Sequence, residues 1–170
     1  MPASPGEQSG RDGEPLAGPS RVRTCPSAPP EPDSVLFGFV VAPGEVAYLS
    51  PGIPATPELL SALERSGIPV ENRARFSGRC MENRCVQWSD SEGGRCGLAD
   101  RALAALAIEQ PLENLPRCGI RSTCRWYFQH QGKACAACPE VIRRPADASA
   151  AETNVDGSRP RAIEIARDRP

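Results

Sequence analysis

The first sustained apolar pattern along the chain is Val35-Leu36-Phe37-Gly38-Phe39-Val40-Val41, followed by Ala42-Pro43-Gly44-Glu45 and then Val46-Ala47-Tyr48-Leu49. Two β-branched and aromatic runs around a Pro-Gly turn predict a β-hairpin. Thr56-Pro57-Glu58 then offers an N-cap, a first-turn proline and an early acid. Leu59, Leu60 and Leu63 follow at helical spacing, with Gly67 placed to end the helix. This opening unit, 34–78, contains no cysteine and reads as a scaffold that supplies hydrophobic core.

Beyond it the pattern weakens. An Ala- and Leu-rich stretch predicts a helix over 99–110, stopped by Pro111. A second helix is expected over 123–131, with Gly132 as its stop. The rest of 79–143 reads as turns. The expected fold class is α+β: a small domain with an N-terminal β-hairpin and helix, then an irregular cysteine-rich metal-binding half.

At both ends the apolar pattern disappears. Residues 1–33 are mostly Pro, Gly, Ser, Glu and Arg, and 144–170 alternate charged and small residues. Such segments bury too little to offset their ordering entropy, so a disordered arm and a disordered tail are expected. Proline and glycine make 34 of the 170 residues, in keeping with that expectation. Cys25 lies in the arm and reads as an incidental free thiol.

Charge narrows the functional classes. Twenty basic and 21 acidic side chains leave a formal net charge of −1. No global field draws such a chain to nucleic acid or anionic lipid. The first 17 residues lack the basic start and apolar run of a secretory signal, and no apolar run approaches the roughly 20 residues that span a bilayer. The expectation is a cytoplasmic protein without a membrane partner. In that compartment thiols stay reduced, and clustered cysteines are more often ligands or redox groups than bridges.

Seven of the eight cysteines fall between residues 80 and 138: Cys80, Cys85 and Cys96, then Cys118, Cys124, Cys135 and Cys138. Cys85 and Cys124 are 39 residues apart, as are Cys96 and Cys135, and a tryptophan follows the middle cysteine in each group (Trp88, Trp126). This suggests a duplicated ligand-bearing loop. The second group has four thiols, ending in Cys135-Ala-Ala-Cys138-Pro139, whereas Ala99 takes the place of the fourth in the first. Thiolates select zinc, Cu(I) or iron–sulfur clusters, and four satisfy either a tetrahedral ion or a cluster. Only one CxxC pair is present and His130 is the only histidine, which departs from the paired ligands of structural zinc sites. One or two iron–sulfur clusters, of [2Fe–2S] or [4Fe–4S] type, are therefore expected, with zinc as the alternative.

The run from Arg121 to Pro139, with Cys124, Cys135 and Cys138, resembles the C-terminal motif of ferric-siderophore reductases, which bind a [2Fe–2S] cluster through C-C-x10-C-x2-C. The three cysteines match that motif's last three ligands, and Thr123 stands where its first would be. The resemblance covers under 20 residues. It implies a cluster, with Cys118 or another group as fourth ligand, and carries no implication of siderophore reduction.

Other side chains have competing readings. His130 is either a fourth ligand or an ordinary histidine at a helix end. Asp90, Glu92 and Asp100 could complete the first group, although a solvated loop is the expected reading. Trp88 and Trp126 read as packing beside the ligand loops. Arg73, Arg75, Arg79, Arg84, Arg95, Arg117, Arg121 and Arg125 surround the cysteines. Interleaved acids favour charge compensation over a nucleic-acid face. A protein partner, redox or biosynthetic, is expected, in a redox, sensing or accessory role. The zinc alternative would be a stapled protein–protein or nucleic-acid interaction module.

Overall fold

The computed structural model describes residues 22–143 and 163–164. Strands β1 (Thr24–Cys25), β2 (Val35–Ala42), β3 (Glu45–Pro54) and β4 (Ala74–Arg79) form an antiparallel sheet in the order β1-β4-β2-β3. Helices α1 (Pro57–Glu64) and α2 (Val70–Arg73) connect β3 to β4. Next come the two-stranded ribbon β5 (Trp88–Ser89) and β6 (Arg95–Cys96), then α3 (Gly97–Ala105), α4 (Arg125–His130) and α5 (Gly132–Ala137). A parallel pair, β7 (Val141–Ile142) and β8 (Ile163–Glu164), completes the described chain. The fold is α+β, and the expected hairpin is β2–β3.

The scaffold follows its local chemistry. Thr56 caps α1, its hydroxyl accepting from the Leu59 N–H at 3.3 Å, with Pro57 in the first turn. Leu60 and Leu63 turn from α1 onto the sheet, where they join Leu36, Val70, Ala74 and Phe76 in one apolar cluster. Strand β2 is apolar without alternation because both of its faces are covered. Leu36 and Phe37 are each 0% exposed, yet belong to different clusters. Phe37 packs with Trp126, Ala137 and Val141, so the cysteine-rich half is built directly on the second face of the scaffold sheet.

Three expectations change. The arm is ordered from Val22 onward: β1 is one edge strand of the sheet, and Pro26 and Ser34 are buried. Composition hid this because the order comes from long-range pairing with β4, not from local apolar content. The first 21 residues lie outside the described ones, as does most of the tail. Within the tail, Ile163–Glu164 pairs with β7.

Helix α3 ends at Ala105, well before Pro111. Ala107 takes a left-handed φ of 51°, with the Ile108 N–H donating to the Leu103 carbonyl at 3.0 Å and the Ala107 N–H to that of Ala104 at 3.2 Å. This is a Schellman closure with alanine where glycine is usual, and Ile108 packs on the core to complete it. The helix expected over 123–131 is α4, but Gly132 begins α5 instead of stopping the chain. The break lies one residue earlier, at Gln131 with φ 48°.

Candidate metal centres

All eight cysteines are unpaired thiols. They sort into two quartets. The first is assembled from four separate pieces of backbone. Strand β1 pairs with β4 so that Cys25 lies opposite Gly78, and the Cys80 N–H donates to the Arg23 carbonyl at 2.8 Å. A 3₁₀ turn, Glu82–Arg84, then presents Cys85, whose N–H donates to the Glu82 carbonyl at 2.8 Å. Cys96 arrives on β6 opposite Trp88. Gln129 fixes it from α4, its side-chain oxygen accepting from the Cys96 N–H at 2.8 Å and its amide donating to the Cys96 carbonyl at 3.4 Å.

Cys25, Cys80, Cys85 and Cys96 line one cavity of about 570 Å³, beside Trp88 and Arg125. Burial pushes the Cys25 thiol up to about 12, and negative charge on Cys96, Cys80 and Cys85 would raise it further. Cys25, expected to be an incidental free thiol, is a free thiol that shares this cavity with Cys80, Cys85 and Cys96. The available signal was Cys25-Pro26, which repeats Cys138-Pro139.

The second quartet is Cys118, Cys124, Cys135 and Cys138, around a smaller cavity of about 30 Å³ walled by Phe37, Tyr48, Trp126 and Tyr127. Cys118 is pinned to the sheet by its neighbour, since the Gly119 N–H donates to the Leu49 carbonyl at 2.9 Å. A side chain at Gly119 would fall 2.6 Å from the Gly52 nitrogen, so only glycine allows that approach. Cys124 caps α4, Cys135 lies within α5, and Cys138 opens the 3₁₀ turn Cys138–Glu140. Burial raises Cys138 to about 12 and Cys124 to about 11. It also raises Cys135, against the pull of Arg121. Thr123, at the position of the siderophore-reductase motif's first cysteine, instead contacts Thr24, hydroxyl to hydroxyl at 3.0 Å. Cys118 is the fourth thiol that lines this cavity.

Cations and buried donors sit unevenly around the two groups. Arg75, 6% exposed, is anchored by the Glu71 carbonyl at 2.8 Å and the Pro139 carbonyl at 3.4 Å. Burial lowers its pKa and negative charge on Cys138 opposes the change. With Arg121 beside Cys135, the second quartet has two cations. At the first, Arg125 pairs with Glu82 and lies 5.1 Å from the Trp88 ring centroid. The Tyr48 hydroxyl and the Trp126 indole N–H are buried and make no hydrogen bond to another group of the protein. Each faces a sulfur and favours its thiolate, Tyr48 that of Cys138 and Trp126 that of Cys96. Of the arginines around the cysteines, Arg75 and Arg121 face sulfurs of the second quartet, and Arg125, paired with Glu82, lines the first cavity.

The remaining candidates fall elsewhere. His130 meets Asp100 at 2.7 Å, and Asp100 also pairs with Arg95 at 2.8 Å, so neither His130 nor Asp100 lines a cysteine cavity. Asp90 is exposed, and the Glu92 side chain lies outside the described residues. The two loops of the sequence repeat also differ in form: the chain between Cys85 and Cys96 is a ribbon, and that between Cys124 and Cys135 is two helices. Among the described residues, no three His, Cys, Asp or Glu side chains are placed to hold a metal ion as they stand. No helix among these residues is long and apolar enough to cross a membrane. No family model, curated protein or solved structure matches the chain.

Proposed function

We propose that this chain is an iron–sulfur protein that carries two clusters, one on Cys25, Cys80, Cys85 and Cys96 and the other on Cys118, Cys124, Cys135 and Cys138, and serves as a redox, sensing or accessory protein to a protein partner. The observation that carries this reading is the sorting of eight cysteines, without remainder, into two groups of four around separate cavities. Four thiolates are the usual complement of one cluster. The surroundings agree. Aromatic rings line both cavities, buried donors lie beside sulfur, and arginines near the second quartet would offset the negative charge of a thiolate-bound centre; these are the groups that set a cluster's potential.

A single zinc ion is the second reading, since four thiolates also satisfy a tetrahedral site. The lone CxxC pair and the single histidine depart from the paired ligands of structural zinc sites and favour the cluster. Because burial holds Cys25, Cys124 and Cys138 as thiols in the metal-free fold, loading releases protons and is favoured by rising pH.

Purification without oxygen tests the reading. Brown protein with absorbance near 400 nm, and with iron and acid-labile sulfide in equal amounts, supports it. Colourless protein with stoichiometric zinc and no sulfide overturns it.

A further inference from the structure

We propose that the first cavity is a binding site for a small organic carboxylate with an aromatic or apolar body, held by Arg125 beside Trp88. The inference does not depend on what the four thiols hold. It starts from volume. Four thiols line each cavity, yet the first measures about 570 Å³ and the second about 30 Å³. The second shows how little space a ring of four thiols needs. The first lies within the roughly 300–1,000 Å³ typical of small-molecule sites.

The walls of the first cavity define the chemistry it can take. Trp126, Leu98 and Val141 are buried and, with Trp88, give it an apolar lining. One buried charge is set into that lining. Arg125 is 9% exposed, and α4 brings it against the Trp88 ring, 5.1 Å from the centroid. Among the described residues its Nη2 bonds to Glu82, whose side chain is 51% exposed, and its Nε is buried without a partner. The guanidinium is therefore withdrawn from water while its one carboxylate partner stays half in water. Such a buried cation gains from a second anion.

The other charges of the cavity agree with an anion. Arg79 and Arg143 line it, and the two acids that line it, Glu31 and Asp33, are both exposed. A guanidinium meets a carboxylate through parallel N–H bonds, and an aromatic body can lie along the indole rings. Inorganic phosphate suits the site less, because the apolar lining would strip water from its remaining oxygens without replacing those bonds.

The test titrates the full chain, reduced and metal-free, with benzoate as the probe and with benzamide and inorganic phosphate as comparisons, by calorimetry. Benzoate is expected to bind at one site per chain, about tenfold or more tighter than either comparison, the worth of one charge-assisted bond. Alkylation followed by mass spectrometry locates it. Saturating benzoate should slow modification of Cys80 and Cys85 several-fold and leave Cys118 and Cys135 unchanged. Arg125→Lys, which keeps the charge and loses the planar fork, is expected to weaken benzoate about fivefold or more. The alkylation readout uses the parent chain, so it decides the matter even where that variant fails to fold. No benzoate binding, equal affinity for all three probes, or protection falling on Cys118 and Cys135 would overturn the carboxylate site and leave the cluster reading standing.

Discussion

Thr24 and Thr123, 99 residues apart, meet hydroxyl to hydroxyl at 3.0 Å, beside the backbone bridge that brings Cys25 and Cys124 close. Each threonine immediately precedes a cysteine, and the two cysteines belong to different quartets. The contact adds to the backbone bond from the Thr24 N–H to the Thr123 carbonyl, and together they join a strand already paired with β4 to the cysteine-rich half. Thr24→Val, which keeps shape and removes the hydroxyl, is expected to cost about 1 kcal/mol. The iron released first on mild chelation of this variant should be that of the first site.

Cys25 should be as necessary to the first centre as Cys138 is to the second. Cys25→Ala and Cys138→Ala are each expected to retain about half the iron and sulfide of the parent, four thiolates being the complement of one cluster. Analysis of the purified variants checks this. A Cys25→Ala protein with undiminished iron would return Cys25 to the status of a spare thiol.

The Tyr48 hydroxyl should tune the second cluster without holding it. Tyr48→Phe is expected to leave metal content unchanged and to lower the midpoint potential of that cluster alone, because it removes a donor facing the Cys138 sulfur. Potentiometric titration followed by paramagnetic resonance separates the two centres.

Arg75 should change its role with occupancy. In the loaded protein it faces negative charge, and Arg75→Met is expected to cost about 3 kcal/mol, the loss that follows when a buried charge loses its partner. In the metal-free protein the guanidinium is buried without that partner, so the same replacement should be within about 1 kcal/mol of neutral. Denaturation of both forms of both proteins gives the comparison.

The metal-free fold should weaken in alkali. Folding raises Cys25 and Cys138 to about 12 and Cys124 to about 11, above the roughly 8.5 of an unfolded thiol. The folded chain therefore keeps protons that the unfolded chain releases, and stability is lost as pH rises from about 8.5 toward the folded values. Urea midpoints of metal-free protein under reducing conditions, taken from pH 7 to pH 11, are expected to be level at first and then to fall.

Much of this architecture could be read from local pattern. The apolar run of β2, the Pro-Gly turn and the Thr56-Pro57 cap each declare themselves within a few residues, and the structure follows them. The helix ends did not, because Ala107 and Gln131 take left-handed conformations that glycine usually signals, while the real Gly132 starts a helix. Seven of the site cysteines could be read by density, but their grouping needed the fold. Cys25 was hidden in a Pro- and Ser-rich arm whose order depends on β4, 50 residues downstream. Tyr48, Arg75 and Gln129 could not be assigned to a centre, since each reaches it only through sheet or helix packing. The sequence repeat suggested three thiols against four, whereas in the structure four line each cavity, because Cys25 joins the first three. The asymmetry that remains lies in cavity size and in the arginines alongside.

Native mass spectrometry of the full chain, purified and ionised without exposure to oxygen, bears on the central claim most directly. The account predicts a chain mass increased by two iron–sulfur clusters, falling to one in both Cys25→Ala and Cys138→Ala. A chain carrying one cluster that persists in Cys25→Ala, or carrying zinc with no sulfide, would contradict it.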